Sequence, residues 1–159
     1  MFLWNAKLRQ GWCPSISWFV EQNPELADAT TLYAALNAHQ NKEQVWEQVR
    51  SAEFSHLPTR NKALFVFPTM QDLEMAENTW WQGTQRRRVQ ILVAADANIH
   101  VADSRWLDGE PSNWEENSRR YWSGELSSVP LREVIVHGTA WIPNIADYEP
   151  ITLTGFSLS

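Results

Sequence analysis

The run EVIVHGTAWI near the end of the chain sets Glu133 at the head of an otherwise apolar segment: Val134, Ile135 and Val136, then Ala140, Trp141 and Ile142. Such a run reads as strand. Gly138 in its middle leaves two arrangements open, one bent strand or two strands over Glu133 to His137 and Thr139 to Ile142. A carboxylate at the head of such a strand can be held rigidly at the edge of a cleft, where a fixed negative charge favours a cationic transition state. The same residues also read as a solvated glutamate that begins a surface strand.

The rest of the chain supplies a core for that strand to join. At 159 residues it suffices for a single domain over 1–159 and is too short for two ordinary ones. With 43% hydrophobic and 20% charged residues it is a folded globular protein. The net charge of −6 argues against a nucleic-acid clamp over the whole surface while leaving room for a local basic groove. The one cysteine, Cys13, excludes an internal disulfide and fits a reducing compartment. No apolar stretch approaches the roughly 20 residues of a membrane span, and MFLWNAKLRQ is too briefly apolar for a signal peptide. A cytoplasmic protein without membrane contact is the expectation. Ten tryptophans are spread along the chain, most of them expected in the core or at its rim.

The first half reads as helical. Pro24, Glu25 and Leu26 open a stretch to about His39, with Leu32, Ala35 and Leu36 at helical spacing. Asn41 is the expected N-cap of a second helix, with Gln44 as its capping-box partner and Val45, Trp46 and Val49 on its face. Phe54 to Pro58 ends it. Ala63 to Phe67 then reads as a buried strand, stopped by Pro68. Thr69 reads as the N-cap of a helix carrying Leu73, Ala76 and Trp80 on one face and ending near Gly83. Strands are expected at Val89 to Ala95 and Ile99 to Ala102, a turn at Asp108-Gly109, and a surface loop or short helix from Glu110 to Arg120. Helices followed by mixed strands give an α+β class.

Four segments, taken in order over roughly residues 45 to 142, resemble the ADP-ribosyltransferase superfamily and, within it, the small DUF2441-like bacterial proteins. They are VRSAEFSHLPTRNKALFVFPT (49–69), the following helix with Glu74, Met75 and Ala76, RRVQILVAADANIHVADSRWL (87–107) with its acidic turn at Asp103, and RRYWSGELSSVPLREVIVHGTAWI (119–142). The resemblance implies a split, strongly bent β-structure around an NAD cleft, with a helical N-terminal part. It implies NAD as substrate and ADP-ribose transfer with release of nicotinamide, in a toxin or phage-defence setting.

Carried over by position, the resemblance makes Glu133 the catalytic glutamate, bound to the 2′-hydroxyl of the nicotinamide ribose. As the bond to nicotinamide breaks, positive charge builds on the sugar, and a fixed carboxylate beside it favours that state. Arg60 becomes the arginine that clamps the pyrophosphate through paired hydrogen bonds, although a solvated loop arginine reads the same position equally well. Tyr121 lines the nicotinamide pocket, with an ordinary buried tyrosine as the other reading. Phe67 lies at the end of the strand after Arg60, and Thr69 sits near the ribose, where a helix cap is also sufficient.

Two departures shape the expectation. Relatives that modify protein arginine carry a glutamate or glutamine two residues before the catalytic one, where this chain has Leu131. That shifts the expected acceptor towards a nucleobase of RNA or DNA, another acceptor, or water. The first strand lacks the usual arginine or histidine, so either the N-terminal element is abbreviated or that work falls to Arg9 or Arg60. Arg86, Arg87 and Arg88, with Arg119 and Arg120, steer a phosphate-rich acceptor if they face one cleft, and are otherwise solvated strand ends. His39, His56, His100 and His137 show no metal-ligand spacing, and no metal is expected. His137 is placed on the same face as Glu133. A toxin would also need a neutralising antitoxin protein in its own cell. The rival from another class is a binding or adaptor module that kept the fold and lost catalysis.

Overall fold

Gly138 is where the apolar run breaks in two, with φ of +144° and no room for a side chain: a Cβ there would lie 2.7 Å from the Cβ of Ala97. The computed structural model describes residues 10–31, 41–83 and 87–147. Within them the chain is α+β, with four α-helices and two small antiparallel sheets. Strand β1 is Trp12–Pro14, β2 Leu64–Val66, β3 Leu92–Val93, β4 Asn98–Asp103, β5 Arg132–His137 and β6 Thr139–Trp141. The helices are α1 Ile16–Gln22, α2 Lys42–Glu53, α3 Met70–Trp80 and α4 Trp114–Ser123. One sheet has the order β1-β6-β3 and the other β2-β5-β4, so the chain leaves the second sheet and enters the first across Gly138 alone.

In the second sheet β5 lies between its partners, with Phe65 and His100 both opposite Ile135 and Ala102 opposite Glu133. Opposed residues of neighbouring strands share a face. Phe65, His100, Ala102, Glu133 and Ile135 therefore point the same way, towards α2 and α4. The core forms there from Trp46, Val49, Ala63, Ala102, Tyr121, Trp122 and Ile135. The indole N–H of Trp122 donates to the carbonyl of Trp46 at 2.9 Å and fastens the two helices together. Trp46 and Trp122 are fully buried, whereas Trp80 and Trp141 stand largely exposed.

Several expectations hold and several do not. Helix α2 starts and stops where the sequence placed it, but Asn41 forms no side-chain cap and instead adopts a left-handed φ of 58°, so the capping box with Gln44 is absent. Asparagine tolerates that conformation, and the turn it makes sets the entry of the helix. Thr69 does cap α3, accepting from the N–H of Asp72 at 3.2 Å. The expected helix over 24–39 is corrected at its start, over 24–31. Pro24–Leu26 makes a single 3-10 turn, and Thr31 then donates its N–H to the carbonyl of Asn61 at 2.8 Å, pulling the chain away from helix. Residues 32–39 lie outside the described residues. The strand expected over 89–95 shrinks to Leu92–Val93, because that short stretch is all that pairs with β6. The Glu110–Arg120 stretch resolves as a 3-10 turn, Pro111–Asn113, running into α4. The sequence also gave no warning of β1 and α1.

Candidate functional site

Arg60, Tyr121 and Glu133 come from three separate segments and meet in the interior. Helix α2 positions the first of them. Glu47 of α2 is held by Arg50 at 2.6 Å and accepts a hydrogen bond from Thr59 Oγ1 at 2.7 Å. Arg50 also donates to the carbonyl of Leu57 at 2.8 Å. The Phe54–Thr59 loop is thereby fastened to the helix, and Thr59 caps the short 3-10 turn Arg60–Lys62 that turns Arg60 inward.

Arg60 is 4% exposed. Its Nε donates to Glu43 Oε2 at 3.1 Å, and its Nη1 donates to Glu133 Oε1 at 2.5 Å and also to Tyr121 Oη. The guanidinium lies over the rings of Tyr121 and Phe65, 5.0 and 5.2 Å from their centroids. Tyr121 Oη in turn donates to the same Glu133 oxygen at 2.5 Å. Burial raises the Tyr121 phenol, Arg60 opposes this and Glu133 adds to it, leaving it well above the ordinary tyrosine value. The phenol therefore remains a donor. Burial alone would lower the Arg60 guanidinium, but Tyr121, Glu133 and Glu43 outweigh it and raise it well above the usual arginine value. Among the described residues, Glu133 Oε2 takes no hydrogen bond.

His100 closes the cluster on the β4 side. Its Nε2 sits 3.1 Å from the carbonyl of Tyr121, so that nitrogen carries the proton, and its ring stacks on Trp122 at 5.6 Å. Burial lowers this imidazole below the usual histidine range, so it stays neutral near pH 7.

Glu43 and His100 escaped the sequence reading. Glu43 had a faint signal: it stands one helical turn before Trp46 on the core face of α2, a position where an acid needs a buried partner. His100 had none beyond its strand.

The other nominated residues lie elsewhere. Thr69 is engaged with Asp72, and that carboxylate receives the Arg132 side chain at 3.1 and 2.9 Å together with the Arg132 N–H at 3.2 Å. This ties the start of α3 to the residue just before Glu133. Phe67 packs edge-on to Trp81 at 5.9 Å and against Trp80 at 6.5 Å. Arg9 lies outside the described residues. Asp103, at the expected acidic turn, is fully buried and accepts backbone N–H bonds from Arg105, Ser127 and Leu131 at 2.7–3.0 Å, which shapes the approach to β5. Leu131 is fully buried.

The basic residues are matched locally. Arg88 pairs with Glu77 and Glu74, Arg119 with Glu53 and Glu115, and Arg120 with Glu116 and Glu125. Arg86 lies outside the described residues. Among the described residues no group of three His, Cys, Asp or Glu is placed to hold a metal ion, and no helix is long and apolar enough to cross a membrane.

The sequence has no match among curated proteins. A family model described as "Protein of unknown function (DUF2441)" matches residues 17–148, a span that runs from within α1 past β6 and includes every member of the buried cluster, and the chain belongs to that family.

Proposed function

We propose that the chain is an NAD-dependent ADP-ribosyltransferase in which Glu133 stabilises the transition state for loss of nicotinamide. The observation that carries the proposal is the convergence of Arg60, Tyr121 and Glu133, nominated in order along the sequence, on one carboxylate oxygen. Two small sheets joined through Gly138 also suit a split, bent β-structure. Family membership names no activity, so the proposal rests on the site.

In this reading Arg60 and Tyr121 act as positioning residues. The Arg60 guanidinium is committed to Glu43, Glu133 and Tyr121, and Tyr121 is fully buried, so both fix Glu133 Oε1 and leave Oε2 for the ribose 2′-hydroxyl. This replaces the pyrophosphate clamp and the pocket-lining role that the resemblance implied for them. Nicotinamide leaves as a neutral molecule and needs no strong acid. Leu131, where arginine-modifying relatives carry an acid or amide, favours RNA or DNA as acceptor over protein arginine. In the test, NAD incubated with the purified protein releases nicotinamide, and Glu133→Gln lowers the rate by about 10²–10³-fold, the usual cost of one preorganised electrostatic group. A variant as active as the wild type removes Glu133 from the mechanism.

The second reading is a binding module that retains the architecture without turnover. It is favoured by the 6% exposure of Glu133 and by the two donors already on Oε1. Titration calorimetry with NAD separates the two, since a module built only for protein contacts gives no heat.

A further inference from the structure

The far end of β5 carries a second polar array that the proposed chemistry does not use. Ser15 caps α1, and its Oγ accepts the N–H of Trp18 at 3.2 Å and of Gly138 at 3.0 Å. Those two donors fill both lone pairs of the hydroxyl, so its own proton goes to Ser17 Oγ, 3.0 Å away. Ser17 Oγ then directs its proton to His137 Nδ1, at 2.8 Å. The other ring nitrogen, Nε2, faces Glu21 Oε2 in a 3.4 Å ion-pair contact, and accepting from Ser17 at Nδ1 leaves the ring proton on Nε2, beside that carboxylate. Hydrogen-bond accounting thus gives the chain one direction, Ser15 to Ser17 to His137, with Glu21 beside the far ring nitrogen. The backbone fixes the same corner, because Ser15 N donates to the carbonyl of Gly138 at 2.8 Å.

A serine hydroxyl, an imidazole holding a lone pair towards it and a carboxylate beside that imidazole form a nucleophile, base and orienter. Ser15 is buried, Ser17 and His137 are half-buried, and Glu21 stands at the surface, so the array opens outward from Ser17. His137 is about 13 Å along the strand from Glu133, too far to serve that carboxylate.

We propose that Ser17 is an activated nucleophile for acyl transfer from carboxylic esters, with His137 as its general base and Glu21 as a positioning residue. Ser17 Oγ bonds to the ester carbonyl carbon as its proton passes to His137 Nδ1. The carbon–oxygen bond to the alcohol then breaks, the alcohol leaves with that proton, and water delivered through the same imidazole frees the acid and restores Ser17.

The test uses the full chain without NAD, so its result is independent of the NAD reading. A fluorophosphonate probe is expected to form one adduct, mapped to Ser17 by peptide mass spectrometry and absent in Ser17→Ala. His137→Gln is expected to slow labelling by about 100-fold, within the usual range for loss of a general base. Glu21→Gln, a surface change that leaves folding intact, slows it about tenfold, and p-nitrophenyl butyrate competes with the probe. An unlabelled Ser17, equal labelling rates in wild type and Glu21→Gln, or an absence of competition by the ester overturns the proposal.

Discussion

Arg60 Nη1 and Glu133 Oε1 lie 2.5 Å apart in the interior, joined across 73 residues of chain, and the pair is the pivot between the helices and the central strand. Its two members contribute unequally. Glu133 shares Arg60 with Glu43, so removing the charge of Glu133 still leaves the arginine one carboxylate. Removing Arg60 strands two.

Arg60→Met is therefore expected to destabilise the protein by about 3–5 kcal/mol, the range for leaving a buried charge without its partner. Glu133→Gln is expected to cost less, about 1.5–3 kcal/mol, because the amide oxygen still accepts from Tyr121 and Arg60 retains Glu43. Denaturant unfolding of the two variants checks the ranking. A Glu133 variant less stable than the Arg60 variant would mean that Glu43 does not compensate.

Much of this was legible locally and little of it globally. Trp46 and Val49 announced the buried face of α2, Thr69 announced the start of α3, and the apolar run after Arg60 announced β2. Each signal lies within one turn or one strand. What stayed hidden depends on partners far away in sequence. Trp12–Pro14 becomes a strand only because β6 lies beside it, and the three-residue segment carries no periodicity of its own. The start of the helix expected over 24–39 gave way where Thr31 found Asn61. In the site, Glu133 and Arg60 stood out as single residues, but their mutual pairing and the part of Glu43 are tertiary facts.

Tyr121 should shape the alkaline limit of stability. Its folded phenol is held well above the ordinary value, chiefly by burial, while the unfolded phenol ionises near pH 10. A group raised in the folded state gives stability that is complete below its unfolded value and lost as the pH climbs towards the folded one. Wild-type stability is thus expected to fall above about pH 10, and Tyr121→Phe, less stable at neutral pH by about 1–2 kcal/mol through the lost hydrogen bonds, should narrow the gap there. Denaturant midpoints measured at intervals from pH 8 upward test this. A constant gap would remove Tyr121 as the cause.

Asp72 acts at the opposite limit. Burial alone would raise its carboxyl, but the bonds from Arg132 and Thr69 outweigh it and hold it below the usual aspartate range. A depressed folded value gives stability that is present above the unfolded value, near pH 4, and lost as the pH falls through the folded one. Asp72→Asn is expected to cost about 1 kcal/mol at neutral pH, a figure kept small because Arg132 is partly solvated. That difference should shrink steadily below about pH 4. Persistence of the full difference at pH 2 would show that shape and not charge joins α3 to β5.

Gly138 makes the sharpest demand on a single position. Its φ of +144° lies where only glycine is at ease, and an added Cβ would meet Ala97 Cβ at 2.7 Å and Ala97 Cα at 3.0 Å. The carbonyl and N–H of Gly138 are both bound to Ser15, so the residue cannot shift without opening the corner between the two sheets. Backbone strain of about 1–3 kcal/mol and the steric overlap add, and Gly138→Ala is expected to lose at least about 2 kcal/mol. Ala97→Gly in the same chain removes the 2.7 Å contact but leaves the Cα at 3.0 Å and the strain, and should recover part of the loss. Thermal unfolding of the single and double variants separates the two contributions. Full recovery would assign the glycine to the Ala97 side chain alone, and no recovery would assign it to φ and the backbone of Ala97.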